Sequence, residues 1–130
     1  MTNAIGIISM QYRRPFAVEH FDQFARWKAA GYDFVELLVP DPGEMDCRLL
    51  RRALDDAGLF AIVTARVNKE RSVTADEAEV RRRGSDYLLY CLEVANTLGA
   101  TVVGGPLYGS PLVFAGVAPH PVSDDLRQRR

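Results

Sequence analysis

The chain has 130 residues, with 48% hydrophobic and 25% charged residues and a formal net charge of −1 at pH 7. This length corresponds to about one domain, and the balanced charge argues against a basic surface for nucleic acid or acidic membranes. The apolar run near the N-terminus is too short for a signal peptide or a spanning helix, so we expect a cytoplasmic protein without a membrane partner. Cys47 and Cys91 fall within helical patterns, and we expect two unpaired thiols.

Strand-like and helix-like runs alternate from the N-terminus to Gly105, a pattern typical of a parallel sheet covered by helices. A first helix is predicted near 18–31, with a stop at Gly31, and a second carries an apolar stripe from Met45 to Ala57 before Gly58. The four predicted strands are 4–10, 32–38, 59–67 and 100–105.

The longest predicted helix precedes the fourth strand. Its apolar stripe runs from Gly84 to Leu98 at intervals of three and four residues, and Gly99 supplies a stop. Thr74 and Asp76 are the predicted N-cap candidates, since short polar side chains satisfy the first free N–H groups of a helix.

Two architectures are built from such alternating strands and helices: an open doubly wound sheet of the flavodoxin type, and a barrel of eight strands. A barrel needs ~250 residues, so the chain has the length of half of one. The stretch VVGGPLYG at 102–109 is similar to a phosphate loop, but no helix follows it at once. We therefore expect Gly104 and Gly105 to allow close backbone packing at the end of the fourth strand.

Three stretches carry a resemblance to a known family: GYDFVELLVPDPGE at 31–44, RRRGSDYLLYCLEVANTLGA at 81–100 and VVGGPLYGSP at 102–111. The chain resembles the sugar epimerases related to D-tagatose 3-epimerase and D-psicose 3-epimerase, within the xylose isomerase-like barrels. The resemblance implies the N-terminal half of a (β/α)8 TIM barrel, with about four parallel strands and three helices. It makes the chain a single partial domain, 1–130, with an ordered core at 5–108 and an irregular tail at 109–130.

The resemblance also implies an activity and a cofactor. Members of this family hold a divalent ion, Mn²⁺ or Co²⁺, and move the proton on C3 of a ketose through a metal-bound enediolate, with two glutamates as base and acid. The family's metal ligands come from strands of the second half, which this sequence does not reach. His20 and His120 have no carboxylate at ligand spacing, so we expect neither a catalytic residue nor a complete metal site in this chain.

Candidate substrate-binding residues lie at the predicted strand ends. Glu36 interrupts an apolar strand, and we expect it either to orient the sugar or to pair with Arg66. Met10 and Tyr12 are further residues that would line the pocket or serve as packing and surface groups. The residues that the resemblance places at the sugar pocket are Glu36, Thr64, Arg66, Pro106, Leu107 and Tyr108.

Three functions remain open from the sequence. The chain is the first half of a metal-dependent ketose isomerase or epimerase that is inactive alone, which is the preferred interpretation. Alternatively, it is a half-barrel that forms a homo-oligomer or pairs with a separate C-terminal half, because its first and fourth strands would present open edges. A third alternative is a flavodoxin-like nucleotide-binding module, which requires a fifth strand.

Overall fold

A computed structural model of the protein describes residues 3–107; the predictions for Tyr108, His120 and the tail at 109–130 lie outside the described residues. Within that range the chain forms a four-stranded parallel sheet in the order β1-β2-β3-β4. The predicted class, four parallel strands in alternation with helices, is therefore confirmed. The strands are β1 Gly6–Ile8, β2 Phe34–Leu38, β3 Phe60–Thr64 and β4 Val103–Gly104.

The strand order distinguishes the two architectures considered above. Each strand pairs with the next one along the chain, as in the wall of a barrel. A flavodoxin-type sheet instead places its first strand inside the sheet and its second strand at the edge. The flavodoxin-like alternative is therefore wrong for the part of the chain that the structure describes.

Four α-helices and one short 3-10 turn, Val18–His20, connect the strands. None of the described helices is long and apolar enough to cross a membrane. The helices are α1 Ser9–Tyr12, α2 Gln23–Ala29, α3 Cys47–Ala57 and α4 Ala78–Leu98.

The hydrophobic core lies between one face of the sheet and helices α2 to α4. Alternate residues of β2, Val35 and Leu37, are buried there, because successive side chains of a strand point to opposite faces. Phe24 and Leu54 bring α2 and α3 onto the same core, and Cys91 does so for α4. Both cysteines are unpaired, as expected.

Helix α3 has well-defined ends. The carboxylate of Asp46 accepts hydrogen bonds from the backbone N–H groups of Leu49 and Arg48, at 3.1 and 2.9 Å. These two donors lower the pKa of Asp46 below its ordinary value. The helix ends at Gly58 in a left-handed conformation, the stop that the sequence predicted.

Several local predictions are wrong: β3 ends at Thr64 and not at 67, β4 begins at Val103 and not at 100, and the helix expected at 18–31 is a 3-10 turn followed by α2. The first strand does not continue to Met10, because the chain turns into α1 at Ser9. Helix α4 has Glu77 at its N-cap, without a side-chain cap. Thr74 is instead buried in the preceding loop, with its Oγ1 3.1 Å from the hydroxyl of Ser72, so it serves the loop and not the helix end.

Candidate functional site

A hydrogen-bonded pair of polar side chains lies on the sheet face opposite the helices, called here the interior face. The hydroxyl of Thr64 donates to Oε1 of Glu36 at 2.5 Å. Glu36 pairs in register with Ile62, and Thr64 lies two residues further along β3, so both side chains project from the same face. Thr64 is the last residue of β3, at the end of a barrel where active sites occur, whereas Glu36 is the middle residue of β2.

Arg66 was the other partner considered for Glu36. Its guanidinium forms no ion pair with Glu36 within residues 3–107. The side chain of Arg66 is exposed, while its backbone N–H donates to the phenol oxygen of Tyr87 at 3.0 Å. Of the two roles expected for Glu36, the pairing with Arg66 is therefore wrong within residues 3–107, and Thr64 is its hydrogen-bond partner.

The glycine-rich end of β4 packs closely against β3. At Gly105 the backbone has φ +122°, and a Cβ atom there would lie 2.1 Å from the carbonyl oxygen of Ala65. The N–H of Ala65 in turn donates to the carbonyl of Gly104 at 2.9 Å. A Cβ at Gly104 would meet nothing within 4 Å, so the expected close approach is confirmed at Gly105 and wrong at Gly104.

The two residues after Gly105 differ in exposure. Pro106 is exposed, whereas Leu107 is half-buried and packs against the hydrophobic core. Tyr108, the remaining candidate from this strand end, lies outside the described residues.

A cavity of about 210 Å³ opens at the carboxyl ends of β1 and β2. Met10 lines it, as the sequence analysis considered, whereas Tyr12 packs edge-on against Trp27 with ring centroids 5.7 Å apart. Ser9, Arg13 and Arg14 also line the cavity, and no pattern in the sequence predicted this, because the first strand was expected to continue to residue 10. The lining residues used below are Ser9, Arg13, Arg14, Asp41, Glu44 and Arg66.

A second, wider cavity of about 580 Å³ lies beside helix α4. The guanidinium of Arg71 stacks on the ring of Tyr87, 3.7 Å from the ring centroid, and forms an ion pair with Asp41. Burial raises the pKa of Tyr87 to about 12, against the opposing effect of its hydrogen bond from the N–H of Arg66. The ring and its hydroxyl therefore act as a neutral packing group between β3 and α4.

No group of three or more His, Cys, Asp or Glu side chains among residues 3–107 is arranged to hold a metal ion. His20 is half-buried, and its Nδ1 accepts a hydrogen bond from the N–H of Ala17 at 3.0 Å. The described residues therefore do not fit the divalent ion that the resemblance implies.

Comparison with known proteins identifies relatives among sugar epimerases. The chain is 28% identical over 111 residues to a ketose 3-epimerase of Arthrobacter globiformis. This alignment covers 76% of this chain and 38% of the relative. It is 27% identical over 79 residues to an L-ribulose 3-epimerase of Methylomonas sp. (strain DH-1), covering 61% of this chain and 28% of that relative. The chain thus spans well under half the length of these relatives.

Solved structures show the same fold. The structure of an L-ribulose 3-epimerase superposes with a TM-score of 0.82 at 22% identity, covering 98% of this chain and 42% of the other. A D-allulose 3-epimerase from Methylomonas sp., in complex with D-allulose, gives a TM-score of 0.81 at 22% identity, covering 97% and 43%. The sequence model of the xylose isomerase-like TIM barrel family matches residues 24–129 of this chain. The chain therefore belongs to the xylose isomerase-like TIM barrel family, and its four parallel strands correspond to half of such a barrel.

Proposed function

We propose that this chain supplies the first half of the sugar-binding rim of a ketose isomerase or epimerase, with Glu36 and Thr64 contacting the substrate. The hydrogen bond between Glu36, in the middle of β2, and Thr64, at the carboxyl end of β3, carries this proposal. Active sites of TIM barrels are built at that end of the strands. The relatives named as ketose and L-ribulose 3-epimerases support a ketose as the substrate class.

The chemistry of the pair suits a sugar hydroxyl. Oε1 of Glu36 is occupied by the hydroxyl of Thr64, whereas Oε2 accepts no hydrogen bond within residues 3–107. A sugar O–H can donate to that oxygen, and a hydrogen bond to a charged acceptor is stronger than one between neutral groups. Arg66, Pro106, Leu107 and Tyr108 complete the proposed rim.

Epimerisation of a ketose requires more catalytic groups than the described strands contain. Moving the proton on C3 with inversion needs a base on one face of the sugar and an acid on the other. Glu36 is the single carboxylate among the described strand residues. We therefore propose that residues 3–107 bind and orient the ketose, and that epimerisation requires groups outside them. The Mn²⁺ or Co²⁺ ion implied by the resemblance belongs with those groups, and no step proposed for residues 3–107 passes through it.

A second copy of the chain is a candidate partner for the open edges of the described sheet. On the interior face, Phe34 and Phe60 stack with ring centroids 5.1 Å apart, yet Phe60 remains 51% exposed. Strands β1 and β4 each pair on one side only within the described sheet. Open edges and an exposed aromatic pair favour association, so we propose a homo-oligomer. Light scattering on the purified chain should give at least a dimer; a monomer at all concentrations would contradict it.

Calorimetric titration of D-allulose into the full chain tests the sugar-binding proposal. Glu36→Gln should weaken binding about tenfold, because it replaces a charged acceptor by a neutral one. Glu93→Gln is the matched control, since Glu93 is an exposed carboxylate on α4, away from the strand ends. Equal affinities for the wild type and the Glu36→Gln variant would overturn the proposal.

A further inference from the structure

We infer that the cavity at the ends of β1 and β2 binds the phosphate group of a phosphorylated ketose. This inference rests on the proposed function, since it assigns a charged group to the sugar that the rim would hold. The cavity, of about 210 Å³, is lined by both Leu38 at the end of β2 and Arg66 just beyond β3. It is smaller than the pockets of about 300–1,000 Å³ that enclose whole drug-sized ligands, so it suits one small substituent of a substrate.

Three guanidinium groups line this cavity, and none forms an ion pair within residues 3–107. Arg13 and Arg66 are exposed, and no side-chain hydrogen bond holds either of them there. Arg14 donates only through Nε, to the carbonyl of Met10 at 3.2 Å, which leaves its two Nη nitrogens available. Guanidinium groups bind phosphate through paired, charge-assisted hydrogen bonds, and three of them around one small cavity favour an anion.

The carboxylates at the cavity are already engaged. Asp41 forms an ion pair with Arg71, which does not line this cavity. Oε2 of Glu44 accepts a hydrogen bond from the backbone N–H of Asp41 at 3.0 Å. Arg71, from outside the cavity, neutralises the charge of Asp41. Among the lining residues this leaves Glu44 as the one carboxylate against three arginines, so the net charge of the cavity lining is positive.

A buried hydroxyl without a partner completes the cavity. Ser9 is 1% exposed, and its Oγ has no hydrogen-bond partner. A buried polar atom without a partner is rare in native proteins, so this hydroxyl remains available as a hydrogen-bond donor. Ser9 lines the same cavity as the three arginines, and its covered Oγ can donate to a phosphate oxygen there once the side chain turns toward the cavity.

The test uses the full chain, with inorganic phosphate and a ketohexose 6-phosphate as probes at constant ionic strength. Arg13→Gln and Arg66→Gln should each weaken phosphate binding about tenfold, as expected for a lost charge-assisted hydrogen bond. Arg26→Gln is the matched control, since Arg26 is exposed on α2 and does not line the cavity. Equal phosphate affinity in the wild type, Arg13→Gln and Arg66→Gln would overturn the inference.

Ser9→Ala gives a second variant that keeps the fold, because it removes a hydroxyl that makes no hydrogen bond. It should weaken phosphate binding without lowering the thermal midpoint. Unchanged phosphate affinity in this variant would show that the hydroxyl does not contact the anion, and would overturn its place in the site.

Comparison of the phosphorylated and free ketose separates this inference from the proposed function. The ketose phosphate should bind about tenfold more tightly than the free ketose, and a sugar carboxylate should gain less, since it offers fewer acceptor oxygens. If the free ketose binds through Glu36 but phosphate adds nothing, only the phosphate inference fails. If phosphate binds through the arginines while Glu36→Gln leaves the affinity for every sugar unchanged, the proposed sugar rim fails.

Discussion

Replacement of Gly105 by alanine should disrupt the contact between β3 and β4. The backbone there has φ +122°, which side chains other than glycine rarely adopt, and the new Cβ would lie 2.1 Å from the carbonyl oxygen of Ala65. The unusual φ alone costs ~1–3 kcal/mol, and the contact with the carbonyl requires the backbone of β3 to shift. We expect Gly105→Ala to lower the free energy of unfolding by about 3 kcal/mol.

Gly104→Ala provides the matched control in the next residue. A Cβ at Gly104 would meet no atom within 4 Å, and its φ lies outside the left-handed range. We expect this substitution to change the free energy of unfolding by less than about 1 kcal/mol, or to raise it slightly. Urea unfolding followed by circular dichroism measures both variants. Equal stability of the two variants would refute the assignment of this segment as close strand packing.

Three further substitutions test separate contacts. Ser9→Ala should raise the free energy of unfolding by about 1 kcal/mol in phosphate-free buffer, because it removes a buried hydroxyl without a partner; a loss of stability would show that the hydroxyl is bonded. Thr64→Val should lower it by about 1–2 kcal/mol in urea unfolding, since Glu36 loses its donor, and an unchanged midpoint would contradict the pair. The pKa of Tyr87 is raised from 10.0 to about 12, so the unfolded chain loses this proton first and stability should fall as pH rises between these values. Tyr87→Phe should lower the free energy of unfolding at neutral pH, because the N–H of Arg66 is left unpaired. It should also make the free energy of unfolding depend less on pH above 10; an equally steep pH dependence in the variant would contradict the raised pKa of Tyr87.

The elements of the fold follow from local patterns in the sequence. The apolar stripe from Gly84 to Leu98 lies within α4, and the strand predicted at 32–38 contains β2. The glycine at 58 ends α3 as predicted, because a left-handed residue stops a helix wherever it stands. These features depend on neighbours within a few positions, which is why the sequence alone was sufficient.

The contacts of the candidate site depend on register between distant segments. The glutamate at 36 is conspicuous in an apolar strand, but its partner is decided by how β2 and β3 align across 28 positions. Propensity did not indicate that the chain leaves β1 at Ser9, and this turn brings Arg13 and Arg14 to the rim. Long-range packing overrides local preference at such positions, so the cavity at the ends of β1 and β2 could not be predicted from periodicity.

We propose that the paired side chains of Glu36 and Thr64 form part of a ketose-binding rim. Amide chemical shifts of the full chain, recorded during titration with a ketohexose, test it most directly. We predict saturable shifts centred on β2 and the end of β3 that require about tenfold more ketohexose in the Glu36→Gln variant and keep their midpoint in Glu93→Gln. Shifts confined to other parts of the sheet, or identical midpoints in both variants, would contradict the account.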